Sequence, residues 1–338
     1  MIQDALKIVV GEGRSLSRAE ARECFTYGLS GNADPVVLGG LLVAMAQRGE
    51  TIEEITGAAE ALRSCMTPFE HDYPDAIDTC GTGGDGLGMF NISTTSAIVA
   101  AAAGARVIKH GNRAVSSSCG SADLLEAAGV KLELSPEAAR TCLDETGITF
   151  LFAPRYHPAM RHAGPVRRAL GIRTIFNLLG PLANPGSVQR QVLGVANPSY
   201  LKTHSTVLQE LGAERAMVIH GGGGADELTL EDGNQIQYVP VDGGPISLRS
   251  EELGLGAAPV SALQGSDANH NLSILHRVLG NEAGPLRDVV ILNAAAALWV
   301  ADIASDLKDG VARADEALAS GTSQALLARW VELSGQLG

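Results

Sequence analysis

Polar and apolar positions divide the chain into two kinds of pattern. Residues 1 to about 70 read as helices only. Ser17 caps one helix ahead of the acids and arginines of 18–23, and Asp34-Pro35 places a cap and an N1 proline before VVLGGLLVAMA. Thr51 and Glu54 form a capping box ahead of ITGAAEALRSCM. The loops between these helices are short, which predicts a compact antiparallel cluster. Pro68 and HDYPD at 71–75 read as a linker.

Beyond the linker the period changes. AIDTC (76–80), ARVIKH (105–110), ITFLF (148–152), QVLGV (191–195) and RAMVIH (215–220) read as strands. Helices are expected between them at 93–104, 121–129, 135–147 and 198–212, and again over 267–336. Alternation at this spacing predicts a mostly parallel sheet with helices on both faces. LTLEDGNQIQYVP (228–240) reads as a hairpin turning at Asp232-Gly233, and FNLLGPLANP (176–185) as a crossing between lobes. The fold class is therefore α/β, with a small N-terminal all-helical domain (1–72) joined to a larger α/β domain (73–338) around a mostly parallel central sheet.

Composition narrows the function. The 338 residues carry 25 basic and 38 acidic side chains, a net charge of −13 that argues against nucleic-acid or anionic-membrane partners. Five cysteines without C-x-x-C spacing read as reduced thiols of a cytoplasmic protein, not a disulfide framework or zinc site. No signal-peptide layout and no stretch long enough to span a membrane is expected. Yet no Asp or Glu lies between Asp85 and Asp123, or between Glu145 and Glu210, while ten Lys or Arg fall in those windows. Either the windows create local fields for small anions, or their arginines bridge to acids elsewhere in the fold.

Three loops carry candidate chemistry. Asp78-Thr79-Cys80-Gly81-Thr82-Gly83-Gly84-Asp85-Gly86 runs from a strand into a glycine-rich turn, and Asn91-Ile92-Ser93-Thr94 then opens a helix. Glycines let a backbone approach a ligand, and free N–H groups at a helix start attract anions. Ser93 or Thr94 can equally be a plain N-cap. The G-x-G-x-x-G match is weak as a dinucleotide signature, because the following strand ends in Lys109-His110 with no acid to hold a ribose. Lys109 to Arg113, followed by the serine-rich 116–121, reads as a mobile polyanion clamp or as a solvated surface turn. Asp226-Glu227, after four glycines, is expected to face solvent and suits Mg²⁺ shared with substrate phosphates; a solvated turn is the alternative.

Together GTGGD, N-x-S-T, KHGNR, SSSCGSADLLEAAG, YHPAMRH–PVRRALGIRTIFNLLGPLANP and the final DE resemble the anthranilate phosphoribosyltransferase family, which shares its fold with pyrimidine nucleoside phosphorylases. The resemblance covers essentially the whole chain. It implies a helical domain completed by helices near 165–187, and a homodimer formed through that domain. It implies phosphoribosyl diphosphate (PRPP) at Gly81, Gly84, Asp85, Asn91, Ile92, Ser93, Thr94, Lys109, His110, Gly111, Asn112, Arg113, Ala114, Val115, Ser116, Ser117 and Ser121. Mg²⁺ would sit at Ser93, Asp226 and Glu227, and anthranilate at Gly81, Asn112 and Arg167. No general base is implied, because an aromatic amine is already neutral near pH 7; catalysis would rest on positioning and on stabilising the leaving group. Met89 and Ser118-Cys119 depart from the family pattern, removing a hydroxyl and a lysine from the PRPP side. The runner-up reading is a nucleoside phosphorylase or a phosphoribosyltransferase with another acceptor. A nucleotide-sensing protein without turnover, and lastly a dinucleotide dehydrogenase, follow.

Overall fold

The computed structural model describes residues 1–114 and 118–338. Four helices open the chain: α1 (Ile2–Leu6, continued by a π turn over Lys7–Glu12), α2 (Arg18–Leu29), α3 (Pro35–Arg48) and α4 (Ile52–Ser64). The three expected caps form. Ser17 accepts from the Glu20 N–H, Asp34 from Val36 and Val37, and Thr51 from Glu54. Glu54 does more than complete its box. Fully buried, its carboxylate also accepts from the Leu16 N–H at 2.9 Å and pairs with Arg48 at 2.5 Å, so one acid ties three segments.

The α/β part runs β1 (Ile77–Gly81), α5 (Ile92–Ala102), β2 (Val107–Gly111), α6 (Ser121–Ala127), α7 (Pro136–Thr146), β3 (Ile148–Phe152), α8 (Ala153–Tyr156), α9 (Met160–Leu170), α10 (Ile175–Leu179) and β4 (Arg190–Gly194). It continues through α11 (Tyr200–Glu210), β5 (Arg215–His220), β6 (Asn234–Val239), β7 (Ile246–Leu248), α12 (Ala268–Leu279), α13 (Pro285–Val300), α14 (Leu307–Ala319) and α15 (Thr322–Leu337). The sheet order is β3-β2-β1-β4-β5-β6-β7, with the first five strands parallel and the last two antiparallel.

Strand side chains alternate between two cores. Val192, Met217 and Ile219 face the core that holds α5, α12 and α13, whereas Leu193, Ala216 and Val218 face a core shared with α1–α4, α9, α10 and α11. The helical cluster therefore packs on one side of the sheet together with the crossing segment.

The expected hairpin at 228–240 is absent. β6 pairs instead with β5, and with β7 across the turn that follows it. Leu228, Thr229 and Leu230 are all buried, without the alternation of a strand, and the Asn234 side chain, bonded to the Thr229 N–H and carbonyl, holds that segment in place of a ladder.

Candidate active site

The strand order reverses between β1 and β4, because the chain passes from β1 outward to β2 and β3 and then returns. Open parallel sheets bind ligands beyond the carboxyl ends of strands at such a point. The glycine loop after β1, the loop after β2 and the Gly221–Glu227 turn after β5 all leave from those ends.

Gly81 and Gly194 end neighbouring strands. A Cβ on Gly81 would collide with the Asp226 carboxylate, and one on Gly194 with the Asp226 carbonyl. Only glycines let the 221–227 turn lie this close across β1 and β4. Asp226 then accepts the Gly83 N–H at 2.7 Å, and Glu227 accepts the Ser93 N–H at 3.2 Å. The acid pair is thus half-buried and hydrogen-bonded to the two other motif segments, not facing solvent as its glycine-rich approach suggested. Burial, with the Asp85 charge next, raises Asp226 well above the ordinary carboxylate range, and burial, with the Asp226 charge next, does the same to Glu227. Carboxyls held this way favour a cation beside them. Among the described residues no cluster of three or more His, Cys, Asp or Glu forms a metal cage. A pair of carboxylates instead fits Mg²⁺, which binds through one or two carboxylates and completes its shell with water and substrate phosphate.

The N-cap of α5 is Asn91, not Ser93 or Thr94, and its side chain makes no cap bond. Its amide instead donates to the Cys119 carbonyl at 3.0 Å and accepts from Asn271 at 2.9 Å, fixing the second loop against the first. Ile92 and Thr94 bury their side chains; the Ile92 N–H donates to the Phe90 carbonyl at 2.7 Å, while the Thr94 N–H has no protein acceptor among the described residues.

Lys109 is not the mobile clamp expected from its neighbours. Only 2 % exposed, it donates to the Thr79 carbonyl and stands 3.5 Å from Ser93 Oγ, with its charge acting on Asp78 and Glu227. Arg113 turns the other way, pairing with Glu126 at 2.6 Å and Asp123 at 3.3 Å. Asp123, the first acid after the window, also accepts the N–H groups of Ala114 and Gly120, both at 2.8 Å, so one carboxylate ties both feet of the loop. Burial opposes its charge, but these donors and Arg113 hold it below the ordinary carboxylate range. Asn112 is exposed. Its carbonyl takes the Ala122 N–H at 3.2 Å and the Ser121 hydroxyl at 3.4 Å. A Cβ on Gly111 would strike that Ser121 hydroxyl. Val115, Ser116 and Ser117 lie outside the described residues.

On the helical side, Arg167 is half-buried with its guanidinium 5.5 Å from the Phe176 ring centroid, while Arg168 is exposed. Among the described residues Arg167 has no carboxylate partner, and burial lowers its affinity for the proton. Three further residues join the site, although nothing in their local sequence assigns them a role. Buried Asp78 accepts from Asn184 at 2.8 Å and from the His110 N–H at 3.3 Å, joining the crossing segment to β2. Arg173, one arginine among many in its window, donates to the carbonyls of Gly83 at 2.8 Å and Thr82 at 3.1 Å. His157 stands with its ring centroid 4.9 Å from that of His110.

Residues 73–324 match the glycosyl transferase family α/β domain, and residues 4–66 its helical bundle domain. An anthranilate phosphoribosyltransferase of Roseiflexus sp. is 48 % identical over 97 % of this chain and 96 % of its own length. One from Chloroflexus aurantiacus is 48 % identical over 98 % of each. The chain belongs to the anthranilate phosphoribosyltransferase family. The crystal structure of the family member from Thermus thermophilus superposes with a TM-score of 0.92 at 47 % identity, covering 98 % of this chain and 99 % of that one. The Saccharomyces cerevisiae member, in complex with PRPP and Mg, gives 0.91 at 25 % identity over 99 % and 98 %. The family's two-domain organisation, helical bundle then α/β domain, is the one the periodicity predicts.

Proposed function

We propose that this protein transfers the phosphoribosyl group of PRPP to the amine of anthranilate, giving N-(5-phosphoribosyl)anthranilate and pyrophosphate in tryptophan biosynthesis. The observation that carries this reading is the near-full-length identity to curated members of the family. The convergence of the glycine loop, buried Lys109 and the Asp226–Glu227 pair at the strand-order reversal supports it. We divide the labour accordingly. Gly81, Gly84, Asp85, Asn91 to Thr94, Lys109 to Ser117 and Ser121 bind PRPP; Ser93, Asp226 and Glu227 hold Mg²⁺; Gly81, Asn112 and Arg167 receive anthranilate.

In this mechanism the bond from ribose C1 to pyrophosphate breaks as the anthranilate nitrogen bonds to C1, and the amine proton passes to solvent. Positive charge develops at C1 and negative charge on the leaving group. The Gly84 and Thr94 N–H groups, which have no protein acceptor among the described residues, take part of the departing charge, and Lys109 adds a fixed cation in a half-dry site. Ser93, Asp226 and Glu227 would hold Mg²⁺, which would supply positive charge against the departing pyrophosphate. Arg167 holds the acceptor carboxylate through paired hydrogen bonds, which aims the amine.

The reading extends to assembly and location. Val10 near α1, with Val36 and Val43 seven residues apart on α3, are exposed apolar side chains that support a homodimer through the helical domain. Five free thiols support a cytoplasmic setting. No helix is long and apolar enough to cross a membrane among the described residues. The test is loss of anthranilate fluorescence on mixing with PRPP and Mg²⁺. Unchanged fluorescence, together with phosphate-dependent cleavage of a pyrimidine nucleoside, would select the phosphorylase instead.

A further inference from the structure

The segment between α9 and α10 belongs to the helical side of the molecule, yet its Arg173 reaches the glycine loop of the α/β side. Its two terminal nitrogens divide between consecutive carbonyls, Nη1 donating to Gly83 and Nη2 to Thr82. A Cβ on Gly84 would collide with this guanidinium, so the arginine lies directly against the loop backbone. Gly83 and Gly84 both take positive φ, +63° and +79°, a conformation with little intrinsic preference for one peptide orientation.

In a trans peptide the C=O and N–H point in opposite directions. Fixing the Thr82 carbonyl on Arg173 therefore aims the Gly83 N–H away from it, and that N–H is found on Asp226 at 2.7 Å. Fixing the Gly83 carbonyl aims the Gly84 N–H the same way. Among the described residues, that N–H has no protein acceptor. It is a donor directed toward the side on which the acid pair lies.

We propose that Arg173 is a positioning residue: it pins the Thr82 and Gly83 carbonyls so that the glycine loop keeps the Gly83 N–H on Asp226 and presents the Gly84 N–H to the anionic donor substrate. It stands six residues beyond Arg167 on one short stretch of chain, so the same stretch orders the donor loop and carries the acceptor arginine. The inference rests on the phosphoribosyltransferase reading above and adds a residue to it.

The test compares wild type, Arg173→Ala and Arg173→Lys by calorimetric titration with PRPP and Mg²⁺, without anthranilate, and by steady-state kinetics. Losing two charge-assisted hydrogen bonds at an exposed position should weaken PRPP about tenfold in Arg173→Ala. The KM for anthranilate at saturating PRPP and the melting temperature should barely move. Lysine lacks the fork and should recover only a minor part of the loss. Unchanged PRPP affinity in Arg173→Ala overturns the proposal. So does full recovery in Arg173→Lys, which would reduce the role to bare charge, or an equal loss for both substrates, which would mark a general structural role. If wild type itself binds no PRPP, the functional reading falls, and the inference with it.

Discussion

The two halves of the cleft are built by different means. On the sheet side, charge is fixed by backbone and burial. Glycines end β1 and β4, two carboxylates grip N–H groups of neighbouring loops, and Lys109 lies 2 % exposed against the Thr79 carbonyl. On the helical side, Arg167 rests on an aromatic ring with no carboxylate partner among the described residues. The proposed donor half thus resembles a preformed mould, in which Asp226, Glu227 and Lys109 are each held by neighbouring segments. The proposed acceptor half adds to Gly81 and Asn112 one side chain, Arg167, on a helix packed over an apolar core. Changes in the first should disturb several contacts at once, whereas changes in the second should act on one substrate.

The largest effect should come from the acid pair. Asp226→Asn with Glu227→Gln keeps oxygen acceptors for the Gly83 and Ser93 N–H groups while removing both charges. Turnover should fall by at least about a thousandfold, as expected when charge stabilisation at a leaving group is lost, with the far-UV spectrum unchanged. Wild-type activity at limiting Mg²⁺ would remove these residues from the metal site. Lys109→Ala ranks next. It removes the cation from between Asp78 and Glu227, so PRPP binding should weaken by about a hundredfold or more, as when one member of a buried charge pair is lost. Anthranilate binding should change far less. Equal losses for the two substrates, accompanied by a lowered melting temperature, would make Lys109 structural and erase the contrast between the halves.

How far the sequence reveals this arrangement depends on the range of the contacts involved. Ser17, Asp34 and Thr51 cap their own helices through neighbours two or three residues away, so their roles are readable locally. The glycine-rich turn is equally plain. Which acids stand beside it is not, because Asp226 reaches Gly83 across 143 residues. The same limit explains the acid-free windows. Arg113 has no acid before it in its window, but the next helix brings Asp123 and Glu126 onto it. Arg167 meets no such partner among the described residues, and the family resemblance singles it out. The hairpin expected at 228–240 fails for a related reason: the apolar–polar spacing of Leu228, Thr229 and Leu230 suggests a strand, but all three are buried and a single asparagine side chain supplies the hydrogen bonds that a ladder would have supplied.

Arg167→Ala sharpens the comparison from the acceptor side. Hydrogen bonds to charged groups contribute roughly 1.5–3 kcal/mol, so anthranilate should bind one to two orders of magnitude more weakly, at about 1.4 kcal/mol per tenfold. PRPP affinity should stay within about twofold, since a single-substrate contact has no reason to affect the other site. Exposed Arg168, changed to alanine, should be nearly silent. An aniline without the carboxylate should not distinguish wild type from the Arg167 variant. If Arg168→Ala is the damaging change, the acceptor role belongs to that neighbour.

The smallest effect on catalysis, and the one that tests the apolar character of the acceptor half, concerns His204. It is fully buried on α11 in the core shared with the N-terminal helices, with Nδ1 3.3 Å from the Tyr200 carbonyl and its ring 5.4 Å from that of Tyr200. Burial lowers it from 6.5 to about 4. The unfolded chain therefore takes up the proton first as pH falls, while the folded chain stays neutral. The favourable contribution of the neutral ring is complete above pH 6.5 and is lost progressively as pH drops toward 4. Integrated over that interval the loss is about 3 kcal/mol. His204→Leu removes the titration at similar volume and should leave activity at pH 7.5 within about twofold, because it touches none of the cleft residues. Urea unfolding at several pH values between 7 and 4 provides the measurement. Wild-type stability should fall more steeply than that of the variant, since His110 and His157 titrate in both and cancel in the difference. Parallel slopes would mean that water or a nearby acid already meets the His204 proton, and the core beneath the acceptor side would then be less apolar than its packing indicates.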